Sequence, residues 1–212
     1  YSEIRVGLQL LDRSGLVSER ELEAFADAIE ESAAEWGATV ECPDVRASLA
    51  SAKKLDAVCA QIDVMVGLNI VSADGVPFHG TKVRTLAESS GFKLNPNGAF
   101  EYTTEHGVPL FYLLNQEAQP FAPDEIKKLS TRGVTLLFDV PKVPEGLRAF
   151  DRMVALARRF SEILGGALVD DRGRPLNDEG IGRIRNQLRE IYKAMDVYEI
   201  PPGGARAFRL FS

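Results

Sequence analysis

The chain has 212 residues, of which 45% are hydrophobic and 26% charged. That is the balance of a folded globular protein and excludes disordered, collagenous and disulfide-stapled classes. Its 25 Lys and Arg stand against 31 Asp and Glu, a formal charge of −6, so the basic surplus that nucleic-acid binders carry is missing.

Cys42 and Cys59, with His79 and His106 as the only histidines, are too few and too scattered for a disulfide framework or a structural zinc site. Two reduced, buried thiols are expected, and no metal or cofactor. No apolar run reaches the roughly 20 residues that span a bilayer. Because Tyr1 is not an initiator, any membrane attachment is expected upstream of it.

Ile4 to Leu11 alternates in part and runs into Asp12-Arg13-Ser14-Gly15, which reads as strand then turn. Ser18 with Glu21 three positions on is a capping-box signature, and Leu22, Phe25, Ile29 and Ala33 then share one helical face. This helix should end near Trp36-Gly37, with Trp36 in the core. Ala38 to Cys42 reads as a short strand stopped by Pro43, and Leu49, Ala52, Leu55, Cys59 and Ile62 mark a second amphipathic helix. The first 62 residues are thus expected as a β-α-β-α segment.

Val64 to Val71 is the strongest strand, with Val64, Val66, Leu68 and Ile70 on one face and Met65, Gly67 and Asn69 on the other. Val83, Leu86, Ala87 and Ser90 fall at helical spacing before Gly91. Ala99 to Thr103 and Leu110 to Gln116 read as an antiparallel pair across a loop at His106. Pro123 suits the first turn of a short helix carrying Ile126 and Leu129, and Gly133 to Val140 is another strand, ended by Pro141. A long helix through Phe150, Met153, Ala157, Phe160 and Leu164 stops at Gly165-Gly166, before the run Ala167 to Val169. After the turn Asp170 to Pro175, a last helix opens near Asn177 and shows Ile181, Ile184, Leu188, Ile191 and Met195 along one side. Residues 197–212 read as a tail whose Ala205 to Ser212 either adds an edge strand or is loose.

Each helix carries only a narrow apolar stripe, so each covers one side of something flat. The sequence therefore predicts an α+β fold in which helices cover one sheet face and leave the other open.

The ordered set Leu68-Asn69-Ile70, Gly80, Gly91-Phe92, Leu110-Phe111 with Asn115, Gly133 to Pro141, the helix through Phe150, and Gly165 to Asp171 before a final amphipathic helix resembles the FtsZ-binding C-terminal domain of the cell-division protein ZipA. The resemblance covers about residues 63–196. It implies a split β-α-β sheet whose bare face takes the C-terminal tail peptide of FtsZ in a shallow apolar groove, in a non-enzymatic protein that tethers the division ring to the bacterial inner membrane. It places Met65, Gly67 and Asn69 on one groove strand, Ala99 on a second, Leu114 and Gln116 on a third and Leu137 on a fourth. Met65, Leu114 and Leu137 are the expected anchors. The chain departs from the family pattern at Gly67, Asn97, Ala99 and Gln116, which are bulkier or more apolar in well-known members, so a shallower groove is expected.

Other chemistry finds less support in the residues. Asp170-Asp171 beside Arg172 and Arg174 reads as a turn, and Ser14 lacks a base within its own segment. No glycine-rich phosphate loop follows a strand. Arg148, Arg152, Arg158 and Arg159 are spread around one helix, as on a solvated face. One alternative stays open. Leu8 to Gly15 and Leu68 to Gly75 are both strand, Gly-ended turn, then helix, so the two segments are also readable as pseudo-repeats of a small-ligand-sensing module with a pocket between them.

Overall fold

A serine hydroxyl starts the first helix. Ser18 Oγ accepts from the Glu21 backbone N–H, and the Glu21 carboxylate accepts from the Ser18 backbone N–H at 2.9 Å, a complete capping box that satisfies two otherwise unpaired amides. The computed structural model describes residues 3–212 and divides into two units, Tyr1–Asp63 with Phe208–Ser212, and Val64–Ala207.

In the first unit a short hairpin, β1 (Leu11–Asp12) and β2 (Gly15–Leu16), precedes α1 (Glu19–Glu35) and α2 (Val45–Ile62). Leu22, Ala33, Ala52, Cys59 and Ile62 are buried, and Asp44 caps α2 by accepting from Ala47 N–H at 2.7 Å. Arg13 forks onto Asp63, with its guanidinium 5.9 Å from the Phe211 ring centroid.

Four sequence expectations fail in this unit. Residues 3–10 form no ladder, and Ile4 and Val6 are 63% and 58% exposed. Ala38 to Cys42 is likewise unpaired. Period-two patterning makes a segment fit for a sheet, but a strand exists only where a second backbone satisfies its amides. Cys42 is exposed, while Cys59 is buried. Trp36 is 69% exposed, because it stands at the C-cap of α1, one turn past the last buried residue, Ala33.

The second unit follows the α+β expectation. Its elements are β3 (Met65–Ser72), β4 (Phe78–His79), α3 (Gly80–Ser89), β5 (Lys93–Leu94), β6 (Phe100–Thr103), β7 (Pro109–Asn115), β8 (Ser130–Thr131), β9 (Gly133–Asp139), α4 (Gly146–Leu164), β10 (Gly166–Val169) and α5 (Asp178–Val197); α6 (Ala205–Leu210) begins in it and ends among the residues of the first unit. Six strands form one antiparallel sheet in the order β10-β3-β9-β7-β6-β5, and β4 pairs with β8 apart from it. Helix α4 connects β9 to β10, two strands that run parallel with β3 inserted between them, which is the split β-α-β arrangement.

The core lies on one side of this sheet. Leu68 and Ile70 of β3, Phe111 and Leu113 of β7, and Val134, Leu136 and Phe138 of β9 have no exposed surface, and they join Phe150, Met153, Ala157 and Phe160 of α4 in one cluster. Phe92 packs edge-on to Phe111 with centroids 5.8 Å apart, and Tyr102 stacks on Phe111 at 4.8 Å. Gly165, with φ of 75°, ends α4 in the left-handed conformation that glycine adopts without penalty. Gly146 is bare for another reason: the Tyr192 ring of α5 fills the space where its Cβ would stand, Cε2 lying 2.8 Å from that point.

Two more expectations are corrected. Residues 123–128 form successive turns instead of a helix, joined by bonds such as Ile126 N–H to Ala122 C=O at 2.8 Å, although Ile126 and Leu129 are buried as their spacing requires. The chain end is helical over Ala205–Leu210, neither an edge strand nor loose, and Ala207, Leu210 and Phe211 are each buried.

Candidate functional site

Register brings six of the seven sequence-selected residues onto the sheet face opposite the core. Along β3 the core set is Leu68 and Ile70, so Met65, Gly67 and Asn69 point the other way. Leu114 on β7 and Leu137 on β9 alternate with buried Leu113, Leu136 and Phe138 in the same manner. Gln116 lies one residue past β7, where its backbone N–H still bonds Gly133 C=O at 3.1 Å. Ala99 precedes β6, is only 8% exposed, and donates its N–H to Asn95 Oδ1. It therefore adds almost no surface to the face.

The face has two kinds of end. Met65 is 52% exposed, and Leu137 is flanked in register by Tyr112 on one side and Gly67 on the other, so exposed Met65 and half-buried Tyr112, Leu114 and Leu137 form an apolar strip. In the next row Thr135 stands between Leu114 and Asn69. There the Asn69 Oδ1 accepts from Thr135 Oγ1 at 2.7 Å and from Gln116 Nε2 at 3.0 Å, while Asn69 Nδ2 donates to Asp171 Oδ1 at 3.0 Å. Four side chains, from β3, β9, the residue after β7 and a turn, thus hold one another in fixed orientations.

Carboxylates border the apolar strip. Glu101 stands opposite Tyr112 and accepts from Asn95 Nδ2 at 2.7 Å; Asp139 stands opposite Met65 and pairs with Lys142 at 3.4 Å. Burial, and then the charges of Glu101 and Asp139, push the Tyr112 hydroxyl above the ordinary tyrosine value. The sequence reading passed over Tyr112, although its parity with Leu114 marks it for this face. Asp171 carried no signal, because a turn residue has no periodicity to place it.

Asp170 is held by its turn: it accepts from the backbone N–H groups of Arg172 and Arg174 and from the Arg174 guanidinium, contacts that hold its carboxyl below the usual range. A hollow of about 540 Å³ lined by Arg84, Glu88, Phe92 and Pro123 includes neither His79 nor Asp170. Among the described residues no three His, Cys, Asp or Glu side chains converge as metal ligands, and no helix is long and apolar enough to cross a membrane.

The chain matches the family described as ZipA, C-terminal FtsZ-binding domain, over residues 64–187, the span that contains this face. It is 30% identical over 142 residues to the cell division protein ZipA of Ectopseudomonas mendocina, covering 65% of this chain and 52% of that protein. To ZipA of Pseudomonas putida strain W619 it is 30% identical over 182 residues, covering 83% and 59% respectively. To ZipA of Marinobacter nauticus it is 26% identical over 128 residues, covering 58% and 38%. The chain spans about half the length of the curated relatives it matches. With the family match covering more than half of its 212 residues and the split antiparallel sheet in place, the chain belongs to the family of ZipA C-terminal FtsZ-binding domains.

Proposed function

We propose that residues 64–207 form a non-enzymatic interaction domain that binds the C-terminal tail peptide of FtsZ on the bare sheet face. The observation that carries this reading is the strip of exposed Met65 with half-buried Tyr112, Leu114 and Leu137, four large side chains facing away from a core that is already complete. Monomeric proteins rarely leave such side chains together without a partner. A short amphipathic segment laid on the strip dries them and gains about 25 cal/mol for each Å² of apolar surface removed from water. Ordering a flexible tail consumes much of that gain, which places the affinity at about micromolar or weaker. Met65, Gly67, Asn69, Leu114, Gln116 and Leu137 line the face, with Met65, Leu114 and Leu137 as anchors and Ala99 at its margin. The family supports a wider role for the whole protein, holding the division ring at the cytoplasmic face of the inner membrane.

Titration of a fluorescein-labelled FtsZ tail from the source bacterium into the wild type and into Leu137→Asp tests this reading. Saturable binding by the wild type, with a loss of about tenfold or more in the variant, is expected, since a carboxylate is placed in the middle of the dried strip. Equal binding by both proteins contradicts it.

A further inference from the structure

Gly67 is a glycine without a conformational reason. Its φ lies outside the left-handed region, and a Cβ built there would meet only Asp171 Oδ1 at 3.5 Å and Thr135 Cγ2 at 3.6 Å, ordinary contact distances. A strand interior normally gains from a side chain, since glycine there costs roughly 0.5–1 kcal/mol relative to alanine. Here the missing side chain leaves a dip one residue wide in the bare face, between Leu137 and Asp171. Its floor is the β3 backbone, its walls are Leu137, the register partner of Gly67, and the Thr135 methyl, and its mouth carries the Asp171 carboxylate.

That carboxylate is aimed. Asn69 fixes Asp171 Oδ1, and Thr135 and Gln116 in turn fix Asn69. The neighbouring acids have their own cations, Arg174 on Asp170 and Lys142 on Asp139, whereas among the described residues no lysine or arginine pairs with Asp171. An apolar slot with an oriented carboxylate at its mouth complements a side chain with an aliphatic stem and a cationic head.

We infer that the hollow over Gly67 is a specificity seat for a lysine or arginine of the bound peptide, its stem lying on Leu137 and its head paired with Asp171. The inference rests on the docking reading above and adds the charge of the residue that the face selects.

A double-mutant cycle tests it, using fluorescence anisotropy at low and at physiological salt. The proteins are wild type, Asp171→Asn, Gly67→Val and Leu137→Asp; the probes are the labelled FtsZ tail and tails in which each lysine or arginine is singly changed to glutamine. Asp171→Asn keeps an acceptor for Asn69 and removes only the charge. It is expected to weaken wild-type tail binding about fivefold at low salt and to flatten the salt dependence. One glutamine-substituted tail should lose the same factor on wild type and nothing further on Asp171→Asn. Gly67→Val should lose binding about tenfold or more while its melting temperature stays level or rises. Unchanged affinity in Asp171→Asn while Leu137→Asp abolishes binding overturns the basic seat and leaves the docking face standing. Unchanged affinity in Leu137→Asp, or no binding by the wild type, overturns the docking face and the seat together.

Discussion

The Gln116 side chain lies over Gly133 of the adjacent strand, its Cδ 2.6 Å from the point where a Cβ would stand. The glycine is therefore the clearance that lets Gln116 reach Asn69. A Gly133→Ala variant should push Gln116 aside and break that bond. The lost hydrogen bond, net about 1 kcal/mol, is opposed by the alanine's gain in strand preference, so the unfolding free energy should fall by less than about 1 kcal/mol. The change should be plain in the NMR signals of the Asn69 side-chain amide, and urea denaturation measures the stability.

Phe111 belongs wholly to the core. It has no exposed surface and touches both Phe92 and Tyr102. Truncation to alanine removes the contacts on both rings and leaves a cavity, a loss of about 3–5 kcal/mol. The urea midpoint should drop accordingly, and an unchanged midpoint would contradict the placement of the core.

Tyr112 gives the face a pH signature. Burial first, and then Glu101 and Asp139, raise its pKa above the ordinary value of 10.0. The folded state thus resists losing this proton more than the unfolded chain does. The stability tied to Tyr112 is fully present below about pH 10 and falls as pH rises from there through the raised folded value. Glu101→Gln removes one of the opposing charges, so the Tyr112 ring titration followed by NMR should move down toward the ordinary value without reaching it, since burial remains. A midpoint that stays fixed in Glu101→Gln would show that the carboxylate does not face the ring.

The capping box at Ser18 should govern the start of α1. Ser18→Ala removes the side-chain acceptor for Glu21 N–H and costs about 1 kcal/mol, whereas Ser18→Thr retains most of it. Hydrogen exchange of the first-turn amides of α1 should speed up in the alanine variant and stay close to wild type in the threonine variant.

The long helices and central strands were legible in the sequence because their periods are long enough to be unambiguous. The capping box, the alternation from Met65 to Val71, and the apolar stripe through Phe150 each specify one element and one face. Strand existence was less legible, because Ile4 to Leu11 alternates well enough yet forms no ladder over residues 3–10. The short turns at 123–128 and the terminal helix failed as predictions because six-residue windows hold too little periodicity to choose between helix, turn and strand. On the face itself, parity placed Met65, Gly67 and Asn69 opposite the core, and the family resemblance placed Leu114, Gln116 and Leu137 there. Asp171 needed three dimensions, since it reaches Asn69 from 102 positions away along the chain.

The central claim is that the bare sheet face takes the FtsZ tail, and methyl NMR reads that face directly. With the methionine and leucine methyls labelled, unlabelled tail peptide is added until the shifts saturate. The account predicts that Met65, Leu114 and Leu137 move together along one binding curve, while the core methyls of Leu68, Leu113, Leu136 and Met153 stay within a small fraction of those shifts. Saturating shifts that spare Met65, Leu114 and Leu137 and cluster elsewhere, or no shifts at millimolar peptide, would contradict it.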